Sequence, residues 1–372
     1  KRMGIQTLVA SIPGNYPGFE LADKVFYENT VDHEKILGIA REEQIDGIVT
    51  AGTDVAVITI GKVCDALGLK GLSAEAAAIA SDKLLMKEKY EEHGVRTAGF
   101  REISTDDENY ADRLAGLGFP LVFKPVDSSG SRGITRVDGV EEFEKARQNV
   151  LDNTRTDHYI VEEFIEGEEF GAQAFIKDGK LAFILPHGDY VFSGDTGVPI
   201  GHFAPYTLAE DVIEDAKEQL AKAAAAMGLD NCAINADFIL HDNKTYVLEL
   251  GGRSGATCLA ELVSIYYDYD YYEKIIRTAL GEEVDFASDQ AVPNASMLLM
   301  GDRDGILQTQ ENGNVDNPDL VEVQFDYAPG DAVRSFSVGP DRIGHVITKG
   351  KTLKEAVETL HRALDNITIE IS

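Results

Sequence analysis

Asn235-Ala-Asp237-Phe238-Ile-Leu240-His-Asp242-Asn243-Lys244-Thr-Tyr246-Val-Leu248-Glu249-Leu250-Gly251-Gly-Arg253 contains two β-prone runs around an Asp-Asn-Lys cluster that favours a tight turn. Pairing the runs about Asn243 sets Asp237 opposite Glu249. In that register Phe238, Leu240, Tyr246, Leu248 and Leu250 share a core-facing side, and the two carboxylates stand on the exposed one. Like charges in directly opposed positions destabilise a sheet, with Cβ atoms roughly 5 Å apart. A divalent cation would remove the conflict, and Mg²⁺ suits an oxygen-only ligand set that leaves positions open for phosphates. An ordinary solvated acidic hairpin accounts for this stretch equally well, so the choice rests on the rest of the chain.

The 372 residues suffice for two or three domains. With 34 basic against 65 acidic residues, the formal charge of −31 argues against nucleic-acid and anionic-membrane partners. A site for a phosphorylated ligand must then be a local basic island. Cys64, Cys232 and Cys258 form no CxxC pair, which suits a reducing, cytoplasmic location. No apolar run approaches the ~20 residues that span a bilayer. The chain begins Lys1-Arg-Met-Gly and goes straight to a β run at 7–11, so a strand and helix are expected to precede it.

Up to about residue 80 the signals alternate: a strand at 7–11, a helix at 33–43 capped by Asp32, and a strand at 45–51 that ends in Gly52-Thr53-Asp54. A helix at 55–67 and a short strand near Lys70 complete a βαβ rhythm with a parallel sheet. The Gly52-Asp54 turn is read equally as a ligand loop and as a helix cap. Ser81 is the expected cap of the next helix, 106–117 is expected to be helical, and 120–125 is a β run carrying Lys124. Ser128-Ser129-Gly130-Ser131-Arg132-Gly133 then forms a loop able to offer backbone N–H groups to phosphate. A strand and helix follow, then the strand at 159–165 and a hairpin about Asp178-Gly179. Residues 187–202 read as a long glycine-rich loop, either covering a substrate or exposed to solvent. A helix at 210–227 leads into the opening hairpin. Beyond it come tyrosine-rich packing at 266–272, further strands, a helix from Thr352 and a last strand at 367–371.

Four features in this order, Asp82-Lys83, Lys124 before a Ser/Gly loop, Glu162-Glu-Phe164-Ile165-Glu-Gly-Glu-Glu169, and Asp237 with Glu249, resemble the ATP-grasp superfamily over nearly the whole chain. Within it the chain is most similar to proteins related to the carbamoyl-phosphate synthase large chain and to L-amino-acid ligases. The resemblance implies an α/β (α+β) fold of three parts: a parallel βαβ domain over 1–80, an ATP-grasp core over 81–280 with a small antiparallel lid at about 118–188, and a C-terminal α+β portion over 281–372. It also implies that Lys83, Lys124, Ser129, Gly130, Ser131 and Gly133 hold ATP phosphates, while Glu162, Phe164 and Ile165 line the adenine and Glu169 binds the ribose. By the same resemblance Asp237 and Glu249 hold Mg²⁺ or Mn²⁺. Arg253, with Lys124 and Arg132, is the implied catalytic set, the arginine steadying carboxylate or acyl-phosphate oxygens. Relatives commonly carry asparagine where this chain has Gly251, which leaves a second cation unassigned.

The implied reaction is ADP-forming. A small carboxylic acid is activated as an acyl phosphate and then coupled to an amine, an amino acid being one candidate. A bicarbonate-phosphorylating enzyme of the carbamoyl-phosphate synthase or carboxylase type is the alternative, and an ATP-binding regulator without chemistry is a third reading. A homodimer is the base-rate expectation.

Overall fold

The computed structural model describes residues 2–14, 16–128, 132–193, 197–315 and 317–372. Its centre is an eight-stranded antiparallel sheet in the order Lys244–Gly251, Cys232–His241, Glu168–Lys177, Lys180–Val191, Pro199–Ala204, Asn294–Met300, Arg342–Lys349, Leu320–Phe325. Two-residue turns at Asp178-Gly179 and Asp242-Asn243 close its hairpins. All four of those residues adopt positive φ, as a turn matched to strand twist requires.

Strand alternation gives the sheet two buried faces. On one, Glu210–Met227 lays Val212, Ala216, Leu220, Ala223 and Met227, spaced at helical intervals, over Phe170, Ala172, Ile234, Ala236 and Phe238. On the other, Leu259–Tyr267 and Tyr271–Ala279 cover Phe175, Phe183, Leu185, Ala204 and Ala233. The tyrosines around 266–272 belong to this packing, as their sequence suggested.

A smaller antiparallel sheet, Phe100–Ser104, His158–Glu163, Leu121–Pro125 and Thr135–Val137, carries the helix Phe143–Leu151 on one side. The N-terminal region contributes a parallel pair, Leu8–Ser11 with Lys24–Tyr27. A three-stranded sheet joins Ala332–Val333, Gly305–Asn312 and Ile367–Ile371. The mixed α/β fold, parallel at the N-terminus and antiparallel elsewhere, agrees with the sequence reading. Among the described residues no helix is long and apolar enough to cross a membrane.

Several local expectations need correction. Residues 45–51 form no ladder: Ile45 and Ile48 pack beside Ile36 and Val63, and Ala51 makes only an isolated bridge to Ser254. No strand forms at Lys70, and the second parallel strand is Lys24–Tyr27 instead. The expected helix at 106–117 shrinks to Tyr110–Arg113, because the Asp107 carboxylate accepts from Asn109 N–H and Arg113 and stabilises a turn in place of the first helical turns. Asp82, not Ser81, caps Lys83–Glu92 by accepting from Leu84 and Leu85 N–H, while the Ser81 hydroxyl donates to the Ala77 carbonyl. The stretch 187–202 is largely two paired strands rather than a loop, with 194–196 outside the described residues.

Candidate active site

Asp237 does pair with Glu249, though not in an unbroken ladder. A bulge at Asp237/Phe238 leaves Leu248 without a register partner, so Phe238 faces Val247. Val247 and Leu250 therefore enter the core, and Tyr246 and Leu248, expected there, do not. The bulge is what keeps Glu249 on the side of Asp237. Burial, then the charge of Glu249, then Asp189 and Glu169, push the Asp237 carboxyl up to about 8, against the pull of Arg253. Nearby Glu169 is also raised, by burial and by Asp189.

Cationic side chains converge on this row from two other elements. Lys83, the first residue of its helix, donates to Glu249 Oε1 at 3.1 Å and to the Ser128 carbonyl at 2.9 Å. Burial opposes its charge, but Glu249 together with Glu162 and Asp54 holds the ammonium above the usual lysine value. Lys124 donates to Glu162 Oε2 at 3.0 Å, and Lys87 stands 3.2 Å from the same oxygen. Burial would raise Glu162, yet the two lysines hold it at about 2. Lys87, only 1% exposed, is itself lowered by burial. Glu162 thus lies buried between two ammonium groups.

Arg253 is clamped side-on. Its Nε and Nη2 donate to the two oxygens of Asp54 at 2.7 and 2.9 Å, and its Nη1 reaches the Ser254 carbonyl at 3.2 Å. The Ala51–Ser254 bridge and a Gly52 N–H to Ser254 carbonyl bond of 3.1 Å fix the loop that delivers Asp54. A methyl group on Gly251 would meet Asp54 and Arg253 at 3.6 and 3.8 Å, ordinary contact distances, so the space beside Glu249 belongs to the arginine clamp.

Of the phosphate loop, Ser129, Gly130 and Ser131 lie outside the described residues. Its ends are held: Ser128 Oγ donates to the Arg132 carbonyl at 2.7 Å, and Gly133 takes a positive φ of 76° against Pro125. Phe164 donates its N–H to the Pro120 carbonyl, and the Arg136 guanidinium lies 4.3 Å from its ring centre. Ile165 is half-buried next to it.

Residues 117–261 match the family described as ATP-grasp domain, and 297–372 match L-amino acid ligase C-terminal domain 2. The phosphoribosylglycinamide synthetase of Anaerococcus prevotii superposes over the whole chain and 94% of its own, with 33% identity and a TM-score of 0.87. The chain belongs to the ATP-grasp family. An ADP-forming, C–N bond-forming ATP-grasp ligase is the enzyme class that it represents.

Two curated ATP-grasp relatives are more distant. Alanine–anticapsin ligase of Bacillus subtilis is 25% identical over 61% of this chain and 53% of its own. The C-terminal section of the carbamoyl phosphate synthase large chain of Aquifex aeolicus is 25% identical over 72% and 49%. The chain thus spans about half the length of these two relatives.

Within this ATP-grasp frame the fold brings together Lys83, Glu162, Lys124, Asp237, Glu249 and Arg253, the last two through bonds to Lys83 and Asp54. Sequence reasoning missed Lys87, which no motif distinguishes from a solvated helical lysine. It left Asp54 undecided between two roles. It also missed the polar group formed by His187, Asp189, His202, Gln173 and Asn235, because the histidines were assigned to a loop.

Proposed function

We propose that the chain uses ATP to convert a small carboxylic acid into an acyl phosphate and then couples it to an amine, with an amino acid as a candidate for either partner. The carrying observation is the opposed Asp237 and Glu249, with the Lys83 ammonium already drawn onto Glu249 at 3.1 Å. A carboxyl pushed up to about 8 by burial and by the carboxylates beside it lies where a divalent cation is favourable. Asp237 and Glu249 would hold that cation, Mg²⁺ or its equivalent Mn²⁺, and it would neutralise charge on the phosphoryl group as it transfers.

The chain's own part is positioning. Lys83 and Lys124 meet phosphate oxygens as point charges, with Arg132 a further cation for them. Glu162, Phe164 and Ile165 border the nucleobase, and Glu169 accepts from the ribose. Lys87 holds Glu162 from below. Arg253 presents its remaining N–H groups to the acid, and Asp54 prevents the guanidinium from swinging away. In this reading the small sheet that carries Lys124 and Glu162 is the lid over the nucleotide. We extend the proposal to a homodimer in the cytoplasm, supported by base rate and by three cysteines that form no disulfide.

The test is ADP release from ATP and Mg²⁺ with pooled amino acids, with bicarbonate and other small carboxylic acids as separate arms. Stimulation that needs both an acid and an amine is expected. Release driven by bicarbonate alone, or no release while ATP still binds, would overturn it.

A further inference from the structure

None of the steps above uses His187, Asp189 and His202. Each imidazole is 2% exposed, and both turn Nδ1 toward Asp189 Oδ1, at 2.9 Å from His187 and 2.6 Å from His202. Two histidines and a carboxylate so close together form a candidate metal-ligand set. Hydrogen-bond polarity points elsewhere. Gly255 N–H donates to Gln173 Oε1 at 2.7 Å, which turns the Gln173 NH₂ toward Asn235 Oδ1 at 2.6 Å and His187 Nε2 at 3.4 Å. An NH₂ group can face only an unprotonated ring nitrogen, so His187 keeps its proton on Nδ1 and donates that N–H as a hydrogen bond to Asp189. A metal on that Nδ1 would force a proton onto Nε2, against the Gln173 amide.

Register places the cluster. Asp237 pairs with Gly171, Gly171 with His187, and Asp189 with His202, so all project from one face of the sheet. A Cβ on Gly171 would sit 2.2 Å from His187 Cε1, which shows that the imidazole lies across that strand toward Asp237. Below the cluster the same face is sealed by Ala260, Leu262 and Val263. The histidines therefore stand where packed core gives way to the row of carboxylates.

We propose that this cluster is the amine subsite, in which His202 Nε2 takes a proton from the substrate's ammonium group while Asp189 holds the ring through Nδ1. The inference rests on the ligase reading. The ammonium gives one proton to His202, forming an imidazolium paired with Asp189. The freed nitrogen attacks the acyl-phosphate carbonyl, the C–N bond forms, the C–O bond to phosphate breaks, and the second proton leaves with hydrogen phosphate. Asp189 and Gly171 are positioning residues.

The groups around His202 suit this task. Lys180–Val191 contributes Asp189 and His187. Asn294–Met300 contributes uncharged Ser296, its register partner. Leu259–Tyr267 presents apolar side chains, its Glu261 bonding instead to Tyr272, and Leu353–Asp365 packs on the opposite face. Burial, against the pull of Asp189, holds His202 below the usual histidine value, so the ring starts neutral.

The experiment uses the full chain with ATP, Mg²⁺ and a pool of the standard amino acids, with and without hydroxylamine, a nucleophile that is already neutral at about pH 7 and needs no base. His202→Asn and His202→Gln should form hydroxamate within about twofold of wild type but lose about 10²-fold or more of amide formation. The loss should shrink as pH rises and free amine replaces ammonium. Equal loss of both products in both variants, or undiminished amide formation, would overturn the assignment. A wild-type chain that yields neither product removes the ligase reading itself, and the role of His202 with it. Long-range ¹H–¹⁵N spectra need no substrate. Both rings should be neutral with the proton on Nδ1, and a proton on His202 Nε2 would reject the proposal.

Discussion

Glu249 is reached by three constraints at once: a strand partner, a bulge that selects its face, and a lysine from a distant helix. Glu249→Gln keeps the shape and the acceptor for Lys83 but removes the charge. Turnover should be abolished while the far-UV spectrum and melting temperature stay near wild type, and wild-type turnover would remove the carboxylate from the site. Glu162 carries a different signature. Its folded value of about 2 lies below the ordinary 4.5, so between those values the unfolded chain binds a proton that the folded chain does not. Stability should fall as pH drops from about 4.5 to about 2. Glu162→Gln should remove that part of the slope in urea titrations and cost roughly 3 kcal/mol by leaving buried Lys87 uncompensated. None of this was legible from Lys87 itself, since its burial is created only when the strand bearing Glu162 packs over its helix.

Elements whose cause is local were readable in advance. Asp178-Gly179 carries its turn within two residues, and Thr352 accepts from Glu355 N–H at 3.2 Å at the start of Leu353–Asp365. The turn expected over Asp242-Asn243-Lys244 is one residue shorter, because Lys244 already pairs with His241. Elements set by neighbours were not. Gly188 looked like loop, yet a Cβ there would lie 2.1 Å from the Phe203 ring, so its bareness serves an aromatic on the next strand. The extra residue at Leu248 is likewise invisible without the partner strand. The N-cap shows how near the limit can lie, for Ser81 and Asp82 are both good caps and only geometry chose between them. Asp82→Ala should lower stability by about 1 kcal/mol, with Ser81→Ala costing clearly less. Urea midpoints at unchanged slope would decide it, and the reverse ranking would return the cap to Ser81.

At the scale of the whole molecule, the formal −31 surrounds a site built around four inward cations, Lys83, Lys87, Lys124 and Arg253. Screening should therefore help the fold more than it harms these partly buried pairs. Raising NaCl so that the Debye length falls from ~30 Å to ~8 Å should raise the melting temperature, and a fall would mean that exposed ion pairs outweigh self-repulsion. The clamp between Asp54 and Arg253 joins positions 199 residues apart. A ribosome releasing this chain from its N-terminus must expose Asp54 long before its partner exists, so the guanidinium can be locked only when the far hairpin comes home to a region made much earlier. The arginine's alignment thereby reports that synthesis has passed the hairpin that carries it.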